Sequence, residues 1–292
     1  MADQQLPDSA RVVVIGGGII GCSVAYHLAE EGCDVVLLER DQLTSGTTWH
    51  AAGLLTNFGS GSETLLDIRK HARNLYDRLE HETGQQTGFV GSGFIELAAD
   101  EDRVEEYRRI AAFNRLHGTD IHELSAAEIK DLFPLADVDD IKAGFYAEHD
   151  GRINPVDVTM AMAKGARMKG AKLIEKTPIR KVLTTNGAVS GVRTDRGDIR
   201  CEFVVNCAGM WARQLGEQNG VVIPNQAAEH YYLITESIEG VTKDLPVLED
   251  PSKYAYYREE TGGLMIGLFE PDCRPWQLEG IPDDFSFGEL PP

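Results

Sequence analysis

No apolar run in this 292-residue chain approaches the roughly 20 residues that a membrane-spanning helix needs, so no membrane partner is expected. Basic residues are few: 28 Lys and Arg stand against 47 Asp and Glu, a formal charge of −19. That balance opposes non-specific binding to nucleic acid or to an anionic membrane, and solubility is the plain account of it. Cysteine is scarce as well. The five at positions 22, 33, 201, 207 and 273 form no Cys-x-x-Cys, and three sit in apolar strand or helix patterns. Reduced structural thiols are therefore expected rather than a disulfide framework. Residues 1–10 show neither a basic stretch followed by an apolar one nor the arginine-rich pattern of a transit peptide, and a cytoplasmic location is the expectation. Metal-ligand spacings, a nucleophile elbow and a P-loop are missing, as are internal repeats, so no metal is expected. What is present is a chain of 42% hydrophobic residues, long enough for about two domains with real cores.

Residues 12–39 organise the rest. Val12-Val13-Val14-Ile15 is an apolar, β-branched run of the kind that forms a buried parallel strand, and it leads into Gly16-x-Gly18-x-x-Gly21. A helical stretch follows from Ile19 to Glu31, with Gly32 placed to end it. A second apolar strand then closes on Glu39, 23 residues after Gly16. This βαβ unit carries the fingerprint of dinucleotide binding. Gly16 allows the tight turn, Gly18 the close approach of backbone to a diphosphate, and Gly21 the packing of helix on strand. The diphosphate would rest on the helix N-terminus, where unpaired N–H groups and the helix dipole favour negative charge. Glu39 would accept hydrogen bonds from the adenosine ribose, and a carboxylate there disfavours a 2′-phosphate. A glycine-rich βα turn of some other α/β protein is the plainer alternative.

After Glu39, small and hydroxyl-bearing residues crowd around one aromatic and one histidine, a segment able to lie against a planar ligand and donate to phosphate. Gly16-Gly17-Gly18, Leu38-Glu39-Arg40 and Ser45-Gly46-Thr47-Thr48-Trp49-His50-Ala51-Ala52-Gly53 resemble the sarcosine and dimethylglycine dehydrogenase branch of the D-amino-acid-oxidase-like flavoproteins. The resemblance implies FAD rather than NAD, held by Gly16, Gly18, Gly21, Glu39, Arg40, Ser45, Thr47 and Thr48. It also implies that His50, which matches the histidine of the Thr-Trp-His motif, carries the flavin covalently through its 8α-methyl. A neutral imidazole nitrogen is a competent nucleophile for that bond. The alternative is a histidine that only packs or hydrogen-bonds beside the ring.

Further along, apolar spacing predicts a helix over 62–84, and Ser125-x-x-Glu128 a capping box for a short helix stopping near Pro134. Residues 89–97 read as a strand with two glycine interruptions, and 100–117 as a charged helix with a solvated face. A strand at 145–148 precedes a turn into a helix ending at Met168. Asn186-Gly187 and Arg196-Gly197 mark a three-stranded insert at 181–198. Phe203-Val204-Val205-Asn206 reads as a buried strand, followed by a tight turn at Gly209. The resemblance makes this the second FAD segment, with Val182, Gly209 and Trp211 beside the cofactor, and it sets His149 and Asp150 near the substrate cavity. On its residues alone, Trp211 either covers a ligand or fills the core. The expected fold is α/β, a Rossmann-like FAD-binding domain (1–80, 145–180 and 199–220) interleaved with an antiparallel-sheet substrate domain (81–144 and 221–292).

Residues 229–235 read as a strand, and 254–258 with 264–267 as a hairpin about Gly262-Gly263. The residues alone make His230 a half-buried strand residue bonded to backbone. The resemblance instead makes His230 and Tyr256 the catalytic pair facing the flavin, with Tyr257 on the opposite face by strand alternation. Arg258 is either a partner for a substrate carboxylate or a solvated arginine at a strand end. The reaction implied is oxidation of an N-methyl C–H bond, with hydride passing to flavin N5 and electrons onward to a flavoprotein or to oxygen. Only a neutral amine releases hydride readily, so the site has to take up a proton, a task suited to an imidazole of ordinary pKa about 6.5. A D-amino-acid or glycine oxidase of the same fold is disfavoured by Thr48-Trp49-His50. Family members continue well beyond a point matching Pro292, with a further flavin-contacting segment. The resemblance thus implies a shortened chain, weak in FAD binding or a non-catalytic FAD-binding subunit unless that part is supplied.

Overall fold

The computed structural model describes residues 5–282 together with Phe285 and Phe287. The opening unit forms as its pattern requires, with β1 (Val12–Ile15), α1 (Ile19–Glu30) and β2 (Val35–Leu38). Gly32, at φ 76°, ends α1: its N–H donates to Ala29 O while the Cys33 N–H reaches back to Leu28 O. The chain continues through β3 (Leu54–Leu55), α2 (Glu63–Thr83), β4 (Phe94–Ala98), α3 (Glu101–Leu116), β5 (His122–Leu124) and α4 (Ala126–Leu132). Next come β6 (Ala143–Ala147), β7 (Gly151–Arg152), α5 (Pro155–Met168) and β8 (Lys172–Ile174). A run of strands follows: β9 (Ile179–Thr185), β10 (Ala188–Thr194), β11 (Gly197–Arg200) and β12 (Phe203–Asn206). The last part holds α6 (Ala212–Glu217), β13 (Tyr232–Ile234), β14 (Val247–Asp250), β15 (Ala255–Glu260) and β16 (Gly263–Leu268).

Two principal sheets result. The first is parallel, in the order β12-β1-β2-β8. Its strands are apolar on both faces because both are covered. Val12, Val14, Val35 and Leu37 pack against α1 and α5, whereas Val13, Ile15, Val36 and Leu38 pack against the antiparallel β9–β11 sheet. The second sheet has seven strands in the order β13-β16-β15-β14-β4-β6-β5, parallel only between β14 and β4. One face, with Ala98 and Phe145, lies under α3 and Phe58; the other, with Ile95, Leu97 and Leu248, lies against α4. The fold is mixed α/β. The strand at 143–147, which the expected boundary at 145 divides, pairs wholly within this second sheet. No helix among the described residues is long and apolar enough to cross a membrane.

Several local expectations shift. The strand expected from residue 89 starts regular pairing at Phe94, and Val90 makes only a bridge to Arg152. Helix α3 is not merely a solvated element: Val104, Tyr107, Ala111 and Asn114 are buried along one side. Strand β12 is an edge strand, and Phe203 is 54% exposed rather than buried. The β15–β16 turn is Thr261-Gly262, both at positive φ (53° and 82°), one residue earlier than Gly262-Gly263. All five cysteines are free thiols.

Candidate cofactor and active site

The turns that leave β1 and β12 meet at the carboxyl edge of the parallel sheet. Gly16, at φ 110°, is so close to the second turn that a Cβ would lie 2.3 Å from Cys207 O, and a Cβ on Gly21 would lie 1.8 Å from Gly16 O. Only glycine fits either position. Above them opens a cavity of about 750 Å³, lined by Gly16–Gly18, Glu39–Asp41, Ser45–Trp49, 177–180 and Cys207–Trp211, with Phe285 and Phe287 at its rim. Of the residues singled out from the sequence, Gly16, Gly18, Glu39, Arg40, Ser45, Thr47, Thr48, Gly209 and Trp211 line this space. Gly21 packs beneath it. Val182 does not reach it: the side chain is buried with Val13, Ile15 and Val192, because alternation along β9 turns it toward the parallel sheet.

The cavity floor has the chemistry of an anion cradle over a polyol site. Gly18 is the N-cap of α1 and offers no capping side chain, and the helix has no acid in its first turn, so its electropositive end opens toward the space. Thr48 Oγ1 accepts the Ile19 N–H at 3.0 Å and thereby supplies a cap from 29 residues away. Glu39 is buried. Its two oxygens accept the N–H groups of Gly17 (2.6 Å) and Asp41 (2.8 Å). Burial pushes its carboxyl up, and those two N–H donors pull it back. Each oxygen keeps a further lone pair for a hydroxyl. Thr44, a β-branched residue at φ 72°, holds the turn that carries Ser45 to Thr48, its N–H bonded to Gly17 O.

Aromatic groups form the rim. The Arg40 guanidinium carbon lies 4.0 Å above the Trp211 ring centroid. Trp211 therefore belongs to the cavity wall and not to the core. The His50 ring lies 3.6 Å from Trp49 and 4.8 Å from Phe287, centroid to centroid. Its Nε2 is buried with no hydrogen-bond partner, as is Trp211 Nε1. Burial pushes the His50 imidazole down, toward its neutral form. Trp211 lines the cavity, and its orphaned Nε1 fits a polar planar ligand that would give it a partner; His50 is not among the lining residues and sits against Trp49 and Phe287, which are.

The second group of candidates sits apart from that cavity. Tyr256 is 2% exposed on β15, its ring lying over Gly267 of β16, where a Cβ would come within 2.0 Å of Tyr256 Cζ. Tyr257 faces the opposite side, toward α4, as alternation requires. His230 is not a half-buried strand residue. Regular pairing begins only at Tyr232, and His230 is exposed with Nδ1 2.9 Å from Glu270 Oε2. Phe269 joins the pair, 6.0 Å from the His230 ring and 5.1 Å from that of Tyr256. Arg258 is neither solvated nor free for a substrate: it is 5% exposed, ion-paired with Glu260 at 2.7 Å and bonded to Glu259 O. Asp150 is likewise engaged, accepting from the backbone N–H and side-chain amide of Asn57. His149 is exposed, and its carbonyl accepts from Arg73 Nε. Phe269 and Glu270 are absent from the sequence expectations, because nothing local distinguishes an aromatic-acid pair at the end of a strand.

A parallel sheet whose first glycine turn opens on such a cavity defines a dinucleotide-binding architecture. Residues 11–287 match the DAO family, FAD dependent oxidoreductase, and the chain belongs to it. Human mitochondrial sarcosine dehydrogenase is 40% identical over 290 residues, covering 97% of this chain and 31% of its own length. Rat mitochondrial dimethylglycine dehydrogenase is 40% identical over 288 residues, covering 96% of this chain and 34% of its own length. The regulatory subunit of mouse mitochondrial pyruvate dehydrogenase phosphatase is 37% identical over 279 residues, 94% of this chain and 32% of that one. This chain thus spans about a third of the length of each of these three relatives. Among solved structures, L-proline dehydrogenase from P. horikoshii superimposes with a TM-score of 0.84 and 27% identity, over 91% of this chain and 71% of that one.

Proposed function

We propose that this chain holds FAD over Gly16–Gly18 and oxidises an N-methylated amino acid of the sarcosine or dimethylglycine type. The observation that carries the reading is the cavity itself, with the α1 N-terminus that only Thr48 caps, the buried Glu39 carboxylate and, behind the lining Trp49, the unpartnered His50 Nε2. Gly16 and Gly18 admit the diphosphate, Glu39 takes the ribose hydroxyls, and Trp211 with Arg40 closes over the ligand. FAD, when bound, supplies a two-electron acceptor for the substrate C–H bond. His50 is the proposed attachment point for the cofactor, its imidazole neutral and one nitrogen available. His230 takes the ammonium proton: with Nδ1–H donated to Glu270, Nε2 is left as the acceptor. Tyr256 orients the substrate beside it, held in place by Phe269 and the gap at Gly267. Electrons then pass to a flavoprotein or to oxygen.

Acid precipitation of the purified protein tests the attachment. Yellow colour staying in the pellet of the unaltered chain and passing to the supernatant of His50→Ala is the expected result. Colour in both supernatants removes His50 as the anchor while leaving FAD binding in place. A second reading, an FAD-binding subunit without turnover, is favoured by the similarity to a phosphatase regulatory subunit. Formaldehyde release from sarcosine that is lost in His230→Ala rejects that second reading.

A further inference from the structure

Among the described residues, one group of nitrogen, oxygen and sulfur donors converges: His230, Glu270 and Cys273, whose ligand atoms all lie within 4.8 Å of one another. We propose that these three side chains form a binding site for a divalent transition ion of the zinc class, and that the ion, when bound, withdraws His230 from proton transfer. The inhibitory half of this proposal rests on the proposed role of His230; the site itself does not.

The architecture explains why the donors meet. Below the group, Tyr232 pairs with Gly267 in the β13–β16 ladder. Above it, the ladder resumes: the Glu229 N–H donates to Arg274 O at 2.8 Å, and the Trp276 N–H to Ala227 O at 2.9 Å. Between these two pinned points one segment spends residues 230–231 and the other 268–273, a difference that forces the longer segment to fold out over the shorter. Glu270 and Cys273 descend from that fold onto His230. The loop is thus clamped at both ends by backbone hydrogen bonds, and its donors are presented by a fixed frame.

The donor set selects the ion. Imidazole, carboxylate and thiolate together suit zinc and its neighbours rather than magnesium or calcium, which take oxygen alone. With bonds of about 2.0–2.3 Å, tetrahedral ligands stand about 3.5 Å apart, so the widest separation, within 4.8 Å, has to close by about 1 Å while the 2.9 Å His230–Glu270 contact opens slightly. Cys273 is an exposed thiol, and three protein ligands leave the fourth position open to water. The His230–Glu270 contact is exchanged for two bonds to the ion.

Titration of the purified chain with Co²⁺, followed by visible and near-ultraviolet absorption, tests the site without turnover. The expected result is saturation at one equivalent, with the intense bands of tetrahedral cobalt and a thiolate-to-cobalt charge-transfer band, all displaced by Zn²⁺. Cys273→Ser removes the charge-transfer band, and Glu270→Gln weakens binding at least tenfold, since loss of an outer partner alone costs about 10–100-fold. Cys33→Ser leaves both unchanged. No saturating bands, or a charge-transfer band that persists in Cys273→Ser, overturn the site. Zn²⁺ is further expected to lower sarcosine turnover of the unaltered chain, and to do so less in Cys273→Ser, each against its own metal-free rate. Bands without inhibition overturn the inhibitory half alone.

Discussion

Glu249 stands opposite Glu96 across the parallel β14–β4 pairing and opposite Tyr256 across the antiparallel β14–β15 pairing. Burial, and then the negative Glu96, push its carboxyl up to about 7, while Arg69 pulls the other way. Glu96 is itself raised by burial, with the Tyr107 hydroxyl and Arg69 opposing. An unfolded glutamate titrates near about 4.3, so the folded state holds the proton more tightly. The stability this supplies is complete below that value and is lost as pH rises through about 7. At about 1.36 kcal/mol per unit the full difference is about 4 kcal/mol, and solvent reaching a half-buried group reduces it to about 1–2 kcal/mol. Glu249→Gln is isosteric and cannot ionise. Its midpoint of thermal unfolding is expected to match that of the unaltered chain at about pH 4 and to exceed it by about 2–4 °C at about pH 8. An equal difference at both pH values contradicts the assignment.

At the scale of elements, the β15–β16 hairpin is where packing meets chemistry. Tyr256 keeps its place because Gly267 has no side chain. Gly267→Ala drives a methyl into the phenol ring, at a packing cost of about 1–3 kcal/mol. Tyr256 must swing away, and with it the contact to Phe269 that neighbours His230. The expected outcome is unchanged FAD content, a kcat for sarcosine reduced at least about tenfold, and lost near-ultraviolet dichroism. FAD content falling in parallel would instead mean that the two sheets cannot be perturbed separately. The elements themselves were readable in the sequence wherever their signals are local. Ser62 and Gly84 bound α2, Ser125 and Glu128 form the reciprocal box of α4, and the Asn154 side chain accepts the first N–H groups of α5. The glycine turn and Glu39 were equally readable, since βα geometry ties each to a short span. What stayed hidden depends on distant chain. The strand expected at 229–235 forms only over Tyr232–Ile234, because the excursion at 268–273 denies His230 a partner strand and gives it Glu270 instead. Arg258 looks like a strand-end cation, but Glu260 and the Glu259 carbonyl claim it. Thr48 reads as a ligand hydroxyl, although its oxygen first caps α1.

Net charge belongs to the molecule as a whole, and here it works against the proposed cofactor. The chain carries −19, and FAD brings a dianionic diphosphate. Within the cavity the balance is close: Arg40 and Arg180 line it with Glu39 and Asp41, and Arg180 is already held by Asp195 at 2.6 Å and 2.8 Å. Attraction therefore comes mainly from the helix end at Gly18, which acts only over the first turn. Repulsion comes from the whole surface and extends over the Debye length, about 30 Å at 0.01 M salt and about 8 Å at 0.15 M. Added salt should screen the second far more than the first. For apoprotein mixed with FAD, the association rate read from flavin fluorescence quenching is expected to rise about threefold between those two ionic strengths. Dissociation should change little, because the contacts that hold the bound diphosphate are short. An association rate that falls with salt would mean that Arg40 and Arg180 steer the ligand despite the surrounding acids, and that capture is governed by the cavity mouth rather than by the field of the molecule.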